Sequence, residues 1–308
     1  MGMKLLVTGG AGFIGSHVAD AAIAAGYDVH IMDDLSGGRR ENIPPTATFH
    51  ELDICSDAAA GVVAREKFDI MCHHAAQMDV RKSVADPKFD ANINVLGFLN
   101  LMEAGRKSGL KKVAFASTGG AIYGEPDYAP QDENHPLRPL SPYGITKRVT
   151  EHYLYFYQQS YGIEHVALRY ANVYGPRQNP HGEAGVVAIF SERLLKGEPC
   201  FINGPGKQTR DYVFVGDVVR ANMAALDHKG SDIFNIGTSI ETDVNTLFHL
   251  IRELVGSDAE EAHAPAKPGE QMRSVLSYAK AEKGLGWTPK TDLRSGLAET
   301  VEWFRQRV

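Results

Sequence analysis

Lys4-Leu5-Leu6-Val7-Thr8-Gly9-Gly10-Ala11-Gly12-Phe13-Ile14-Gly15 joins a short apolar run to a glycine cluster, and its reading decides the fold. The run 4–8 predicts a buried parallel strand. The alanine-rich stretch 16–25 has helical apolar spacing and is stopped by Gly26. Gly9-x-x-Gly12-x-x-Gly15 therefore stands between a strand and a helix, the setting in which such a triplet binds a dinucleotide. Glycines let the backbone turn tightly and approach a pyrophosphate, whose charge sits at the helix N-terminus with Phe13 and Ile14 in its first turn. A bare glycine triplet is also compatible with an ordinary tight strand-to-helix turn.

Working outward, residues 28–32 form a second strand ending at Asp33-Asp34. Asp33 lies 18 positions after Gly15, close to the usual ~20 for the carboxylate that binds the adenosine ribose. A carboxylate there favours NAD, because it repels the 2′-phosphate of NADP. Arg39 and Arg40 are close enough to matter, and we read them as a solvated loop pair. Asp53-Ile54 is left open between an adenine contact and an ordinary strand-end acid. Residues 68–73, 112–117 and 166–170 read as further strands, and 92–108 and 141–161 as the clearest helices. Strands alternating with helices predict an α/β fold, a doubly wound parallel (Rossmann) sheet. After about residue 172 the texture becomes rich in Gly, Pro and Asn, notably at 175–182, as in loops that close over a ligand. Residues 232–237 look like one more sheet strand. The expected division is thus a nucleotide-binding domain at 1–171 with a returning segment near 212–240, interleaved with a smaller C-terminal, mainly substrate-binding domain at 172–308.

The bulk properties narrow the class. With 308 residues, 43% hydrophobic and 23% charged, the chain has an ordinary soluble composition. Its formal net charge of -6 argues against a general nucleic-acid binder. Cys55, Cys72 and Cys200 are too scattered for a zinc cluster or a disulfide framework, so no metal is expected. No apolar run reaches the ~18 residues that a membrane span needs. The N-terminus lacks the charged, apolar and cleavage regions of a signal peptide, so a cytoplasmic protein is expected.

The chemistry points to Tyr143-x-x-x-Lys147. Four apart on a helix that Ser141 and Pro142 can start, the two side chains share a face. An ammonium beside a phenol lowers its pKa from ~10 toward working pH. Such a phenolate can take a proton from a substrate hydroxyl while hydride leaves the same carbon. Ser117 and Thr118 end the preceding strand, where α/β sheets place ligands. One of these hydroxyls is expected to bond the reacting oxygen, and a capping role beside Gly119-Gly120 is the alternative.

With these residues in place, the chain resembles the extended short-chain dehydrogenase/reductase family, and within it the UDP-hexose 4-epimerases of glucose/galactose type. The likeness runs through TGGAGFIG (8–15), DDLSGG (33–38), HHAAQMDVRKS (73–83), NINVLG (92–97), STGGAIYGEP (117–126), SPYGITK (141–147), LRYANVYGPRQ (168–178), GPGKQTRDYVFVGDV (204–218) and GLGWTP (284–289). It implies NAD as cofactor, a UDP-hexose as substrate, and epimerisation at C4 through a transient 4-keto sugar. By the same likeness Tyr143 is the acid/base, and Lys147 binds the nicotinamide ribose. Ala75, Ala76, Asn94 and Tyr170 line the cofactor, Asn172 reaches the sugar nucleotide, and Arg210 its phosphates. The resemblance also implies a homodimer through a four-helix bundle. Val95, Phe98, Leu99, Tyr153 and Phe156 are the residues in question, each equally able to face its own sheet.

Three departures from the family pattern bear on the site. Gly119 stands where a third hydroxyl residue is common, so the assisting hydroxyl falls to Thr118, with Ser117 on the substrate side. Lys267-Pro268-Gly269 stands where Arg-Pro-Gly is common, making a second phosphate clamp a point charge. Ser274 falls where side-chain size limits the sugar's substituent, leaving room for an N-acetyl group. UDP-N-acetylhexosamine or UDP-uronate epimerisation, and dehydratase or reductase chemistry, remain alternatives. A dehydratase generally carries an Asp-Glu pair directly after the strand-end Thr, where this chain has Gly119-Gly120. From another class, a non-catalytic NAD-binding regulator has no need of a tuned phenolate.

Overall fold

A computed structural model describes residues 2–181, 185–266 and 271–308. Lys267, Pro268, Gly269 and Gly182 lie outside the described residues. Seven strands make the central sheet. They are β1 (Lys4–Thr8), β2 (Asp28–Asp33), β3 (Thr48–Glu51), β4 (Ile70–His73), β5 (Lys112–Thr118), β6 (Glu164–Tyr170) and the strand Asp232–Ile236. Across the sheet the order is Asp232–Ile236, β6, β5, β4, β1, β2, β3, and every pairing is parallel. This is the doubly wound Rossmann sheet. The order reverses between β1 and β4, and the crevice outside that switch point is where such sheets bind ligands.

Alternation explains the two faces. Leu5 and Val7 point to one side with Ile31, Cys72 and Leu168, against Val18 and Ala22 of helix α1 (Phe13–Ala24) and Ala221 of helix Val215–Asp227. Leu6 points to the other side with Met32, Met71 and Phe115, against Val62 and Val63 of helix α2 (Asp57–Glu66) and Phe98, Leu101 and Leu154. Burial on both faces is why these strands read as continuous apolar runs. A third core, built from Phe190, Leu194, Leu247, Phe248, Leu297 and Val301, holds the C-terminal helices together. The closing GLGWTP stretch acts as a clasp. Buried Trp287 donates Nε1–H to the Asp217 carbonyl at 2.8 Å, and the Asp217 carboxylate accepts the Lys290 and Thr291 amides at 3.0 Å each.

The helix expected over 92–108 begins earlier and is wound differently. Asp86 caps a start at Pro87, and helix Pro87–Ala91 runs into a π-helical segment, Asn92–Gly97, before helix Phe98–Ser108. The wider turn faces Asn94 inward, and π segments of this kind recur at functional sites. Among the described residues no helix is long and apolar enough to cross a membrane.

Candidate active site

The glycine loop is shaped by close approaches that a Cβ would block. Gly9 has φ +68°, and a Cβ on it would lie 2.6 Å from the Ala75 amide nitrogen. A Cβ on Gly15 would lie 2.3 Å from the Gly9 carbonyl oxygen. Gly12 is the N-cap of α1 and supplies no side chain to the first turn. The amides at Phe13, Ile14 and Gly15 precede any intrahelical acceptor, which leaves a cradle suited to a pyrophosphate. Asp33 is buried beside it. Its Oδ2 accepts the Ala11 amide at 3.0 Å and its Oδ1 the Leu35 amide at 2.8 Å. Burial first of all pushes the Asp33 carboxyl above its ordinary value, and the two amides pull it back. Arg40 pairs with Glu51 at the end of β3 and Arg39 with Glu41 of its own loop at 3.5 Å, so each guanidinium already faces an acid. That arrangement suits NAD.

Other cofactor candidates cluster at the same edge. The Ala75 amide bonds Thr8 Oγ1 at 3.2 Å, and Ala75 and Ala76 are both half-buried. Asn94 is held on all sides: Oδ1 accepts the Gln77 amide at 2.8 Å, while Nδ2 donates to the Gln77 carbonyl at 2.9 Å and to Asp90 Oδ1 at 3.1 Å. Thr146 Oγ1 donates to Asp90 Oδ2 at 2.9 Å, tying this cluster to the helix that carries Tyr143. Asp53 is exposed and accepts the Cys55 amide at 2.8 Å, whereas the Ile54 side chain is in the core under helix Phe98–Ser108. Tyr170 turns its ring into the opposite core and bonds Asn222 through its hydroxyl at 3.0 Å, leaving its main chain at the sheet edge.

Helix Pro142–Tyr161 carries the candidate acid/base. The Ser141 side chain caps it by accepting the Gly144 amide at 3.2 Å, with Pro142 in the first turn. Gly144 has no Cβ because one would lie 2.4 Å from the Ala121 carbonyl oxygen, so the helix start packs directly on the short helical turn Gly119–Ile122 that follows β5. Tyr143 is half-buried and its amide donates to Ser83 Oγ at 3.2 Å. Lys147 is 3% exposed, and its Nζ donates to the Ala116 carbonyl at 2.8 Å. That ammonium sits 5.8 Å from the Tyr143 ring centroid and 4.8 Å from that of Phe115. Burial lowers Lys147 to about 8, opposed by the charges of Asp90 and Glu151.

The two strand-end hydroxyls have different surroundings. Thr118 Oγ1 accepts the Ala121 amide at 3.2 Å, which leaves its own hydrogen free to be donated. Ser117 Oγ donates inward to Glu151 Oε1 at 2.6 Å. Gly119 has a packing reason: a Cβ there would lie 2.3 Å from Leu276 Cδ1. Asn172, Arg210 and Ser274 gather beyond this strand end. Asn172 Oδ1 is 3.7 Å from where a Gly120 Cβ would be, and the Asn172 amide donates to the Asp211 carbonyl at 2.9 Å. Arg210 pairs in register with Ser274, which is 2% exposed. The Asp211 carboxylate accepts the Thr238 amide and hydroxyl, the Ser239 amide and the Leu276 amide. It thus pins the loop around Leu276. Sequence reading did not single out Asp90, Gln77, Thr146, Glu151 or Arg169. Of these only Glu151 carried a signal, its place four residues after Lys147. Among the described residues no three His, Cys, Asp or Glu side chains are grouped to hold a metal ion.

The profile of the NAD dependent epimerase/dehydratase family matches residues 5–237. A putative UDP-glucose 4-epimerase of Methanocaldococcus jannaschii is 48% identical over 98% of this chain and 98% of its own. The UDP-glucose 4-epimerase of Mycolicibacterium smegmatis is 45% identical over 99% of each. Among solved structures, the Thermotoga maritima UDP-glucose 4-epimerase with UDP-glucose superposes with a TM-score of 0.97, at 49% identity and 99% of both chains. The Thermus thermophilus UDP-glucose 4-epimerase complex with NAD gives 0.94, at 46% identity, 99% of this chain and 100% of that one.

Proposed function

The chain belongs to the NAD dependent epimerase/dehydratase family, and from that premise we propose that it is an NAD-dependent isomerase that inverts C4 of a UDP-hexose of the glucose/galactose type. The observation that carries this reading is the Lys147 ammonium, buried on the Ala116 carbonyl within reach of the Tyr143 ring, at the switch-point edge that also holds the glycine cradle.

Tyr143 takes the proton of the C4 hydroxyl as hydride leaves C4, and a 4-keto sugar forms. Lys147 stabilises the phenolate by charge and holds the nicotinamide ribose. NAD, which the glycine cradle and Asp33 would hold, would supply a reversible hydride acceptor, so that the hydride lost from C4 could return to the opposite face of the turned ketone. Tyr143 then gives its proton back, so no net redox change remains. Thr118 donates its hydroxyl hydrogen to the reacting oxygen. Gly9, Gly12, Phe13, Ile14, Gly15, Asp33, Asp53, Ile54, Ala75, Ala76, Asn94 and Tyr170 form the cofactor side. Asn172, Arg210 and Lys267 hold the nucleotide, with a forked guanidinium at Arg210 suited to phosphate. Gly119, close-packed on Leu276, and Gly120 supply no acid or base for water loss, which disfavours a dehydratase.

The small Ser274 side chain favours a second reading in which N-acetylated UDP-hexoses are also accepted. The nucleotide-binding part is residues 1–171 with a return near 212–240, and 172–308 is mainly substrate-binding; the strand Asp232–Ile236 and the separate C-terminal core support this division. A homodimer through the exposed face of helices Phe98–Ser108 and Pro142–Tyr161 belongs to the same proposal.

Purified protein incubated with UDP-galactose is expected to yield UDP-glucose without added NADH, and Tyr143→Phe to lower kcat by about 10²–10⁴-fold. Unchanged activity in Tyr143→Phe would sink the mechanism, and stoichiometric release of NADH would indicate a net dehydrogenase instead.

A further inference from the structure

One helical turn beyond Lys147 lies an ion pair that the mechanism above does not use. Glu151 is 6% exposed and Arg169 3%. They meet through two parallel bonds, Arg169 Nε to Glu151 Oε1 at 3.0 Å and Nη2 to Oε2 at 2.6 Å. Arg169 Nη1 donates to the Tyr123 hydroxyl at 2.9 Å, which donates to Asn235 Oδ1 at 2.7 Å. Desolvating such a pair is costly, and apolar residues of similar volume often serve stability as well or better. Stability alone is therefore a poor reason for its presence.

What the pair fastens supplies a better one. Glu151 Oε1 also accepts Ser117 Oγ at 2.6 Å. Ser117 stands between Ala116, whose carbonyl receives Lys147 Nζ, and Thr118, the candidate assisting hydroxyl. Arg169 is the register partner of Ser117 on β6. Helix and strand end are thus joined at two points: Lys147 to Ala116, and Glu151 to Ser117. These attachments are four residues apart on the helix and one apart on the strand. The helix is already packed at its start and through Thr146 on Asp90, and these two attachments add a local constraint that fixes the height and rotation of Lys147 relative to the end of β5. We propose that the Glu151–Arg169 pair, acting through Ser117, is a positioning device that sets the Lys147 ammonium against Tyr143 and holds Thr118 on the reacting face. The inference rests on the epimerase reading above.

The charged and titratable groups facing Lys147 are Asp90 from helix Pro87–Ala91, Glu151 from its own helix, His73 and His74 from the end of β4, and Tyr143. Burial holds both imidazoles well below their ordinary value, so they are neutral near pH 7. Asp90 and Glu151 are the two charges that favour the ammonium, and Arg169 offsets part of the second.

Two variants test the proposal. Ser117→Ala removes the hook on the strand and leaves the ion pair intact. The double variant Glu151→Leu/Arg169→Met replaces the pair with apolar side chains. In the double variant kcat for UDP-galactose is expected to fall between about tenfold and a hundredfold, with KM within about twofold, as a small misplacement near the reacting groups would do. Its thermal midpoint should be no lower than wild type. Ionisation of Tyr143, followed by ultraviolet difference absorbance against Tyr143→Phe without substrate, should move to higher pH. Ser117→Ala should show the same kcat and titration changes in smaller measure, and it decides the matter if the double variant does not fold. Wild-type kcat together with wild-type Tyr143 titration in the folded variants would overturn the positioning role. Failure of the wild-type protein to interconvert the two sugars would instead overturn the epimerase reading, while the titration would still report on Lys147.

Discussion

Adding one methyl group at Gly15 should cripple cofactor binding. The Cβ of Gly15→Ala would lie 2.3 Å from the Gly9 carbonyl oxygen, 2.9 Å from its carbon and 3.1 Å from Gly10 Cα. All three are backbone atoms, so no side chain can swing away. Gly9 cannot retreat either, because its own position is set by the Ala75 amide, 2.6 Å from where a Gly9 Cβ would be. The strain must then be relieved by moving the start of α1, which carries the amides of the proposed pyrophosphate cradle. Overpacking of this kind costs about 1–3 kcal/mol, and a chain of this size loses roughly 2–4 °C in Tm for each kcal/mol. If only half of a 3 kcal/mol strain falls on the cradle, NAD affinity drops by about tenfold, since ~1.4 kcal/mol is one decade. The assay is NAD titration by calorimetry on cofactor-stripped protein, with thermal melting alongside. Gly61→Ala is the control: it lies in α2 with nothing within 4 Å of its Cβ, and it should gain about 0.5–1 kcal/mol from helix propensity. If Gly15→Ala bound NAD within about twofold of wild type and melted at the same temperature, the claim that close packing shapes the cradle would be wrong.

Two further outcomes follow from the geometry. Because burial lowers Lys147 to about 8, its ammonium is present below that pH and lost above it, so kcat should fall on the alkaline side with a midpoint near 8; a limb at the ordinary lysine value of about 10.4 would refute the assignment. On helix Pro142–Tyr161 Tyr155 is 60%, Phe156 45% and Tyr161 48% exposed, and Leu96 of the π segment Asn92–Gly97 is 57% exposed, apolar surface that a second copy should cover if the proposed dimer forms. Light scattering is expected to give a dimer and Phe156→Lys a monomer, whereas a wild-type monomer would remove the idea.

The local rules were legible in the sequence because each is a short-range constraint. A strand, a tight glycine turn and a helix N-terminus must follow one another within 15 residues, and Tyr143 and Lys147 share a face because a helix repeats every 3.6 residues. The continuous apolar runs announced a sheet buried on both sides. Phe98 shows the limit of such reading: periodicity could not say whether it faced the sheet or a partner subunit, and the structure buries it completely in the core while leaving Phe156 exposed.

Tertiary structure decided what depends on distant residues meeting. The sequence determined the glycine loop, the strand-end acid and the Tyr143–Lys147 spacing, since backbone geometry ties each to its neighbours. It could not show that Ser117 turns inward to Glu151 and Arg169, or that Gly119 is small because Leu276, held by Asp211, occupies the space beside it. It also could not show that Asn94 is pinned by Gln77 and Asp90 through a π turn. Apart from the local Asn94–Asp90 contact, these arrangements follow from packing between residues 17 to 157 positions apart. Which hydroxyl remains free at the reacting edge is a consequence of that packing.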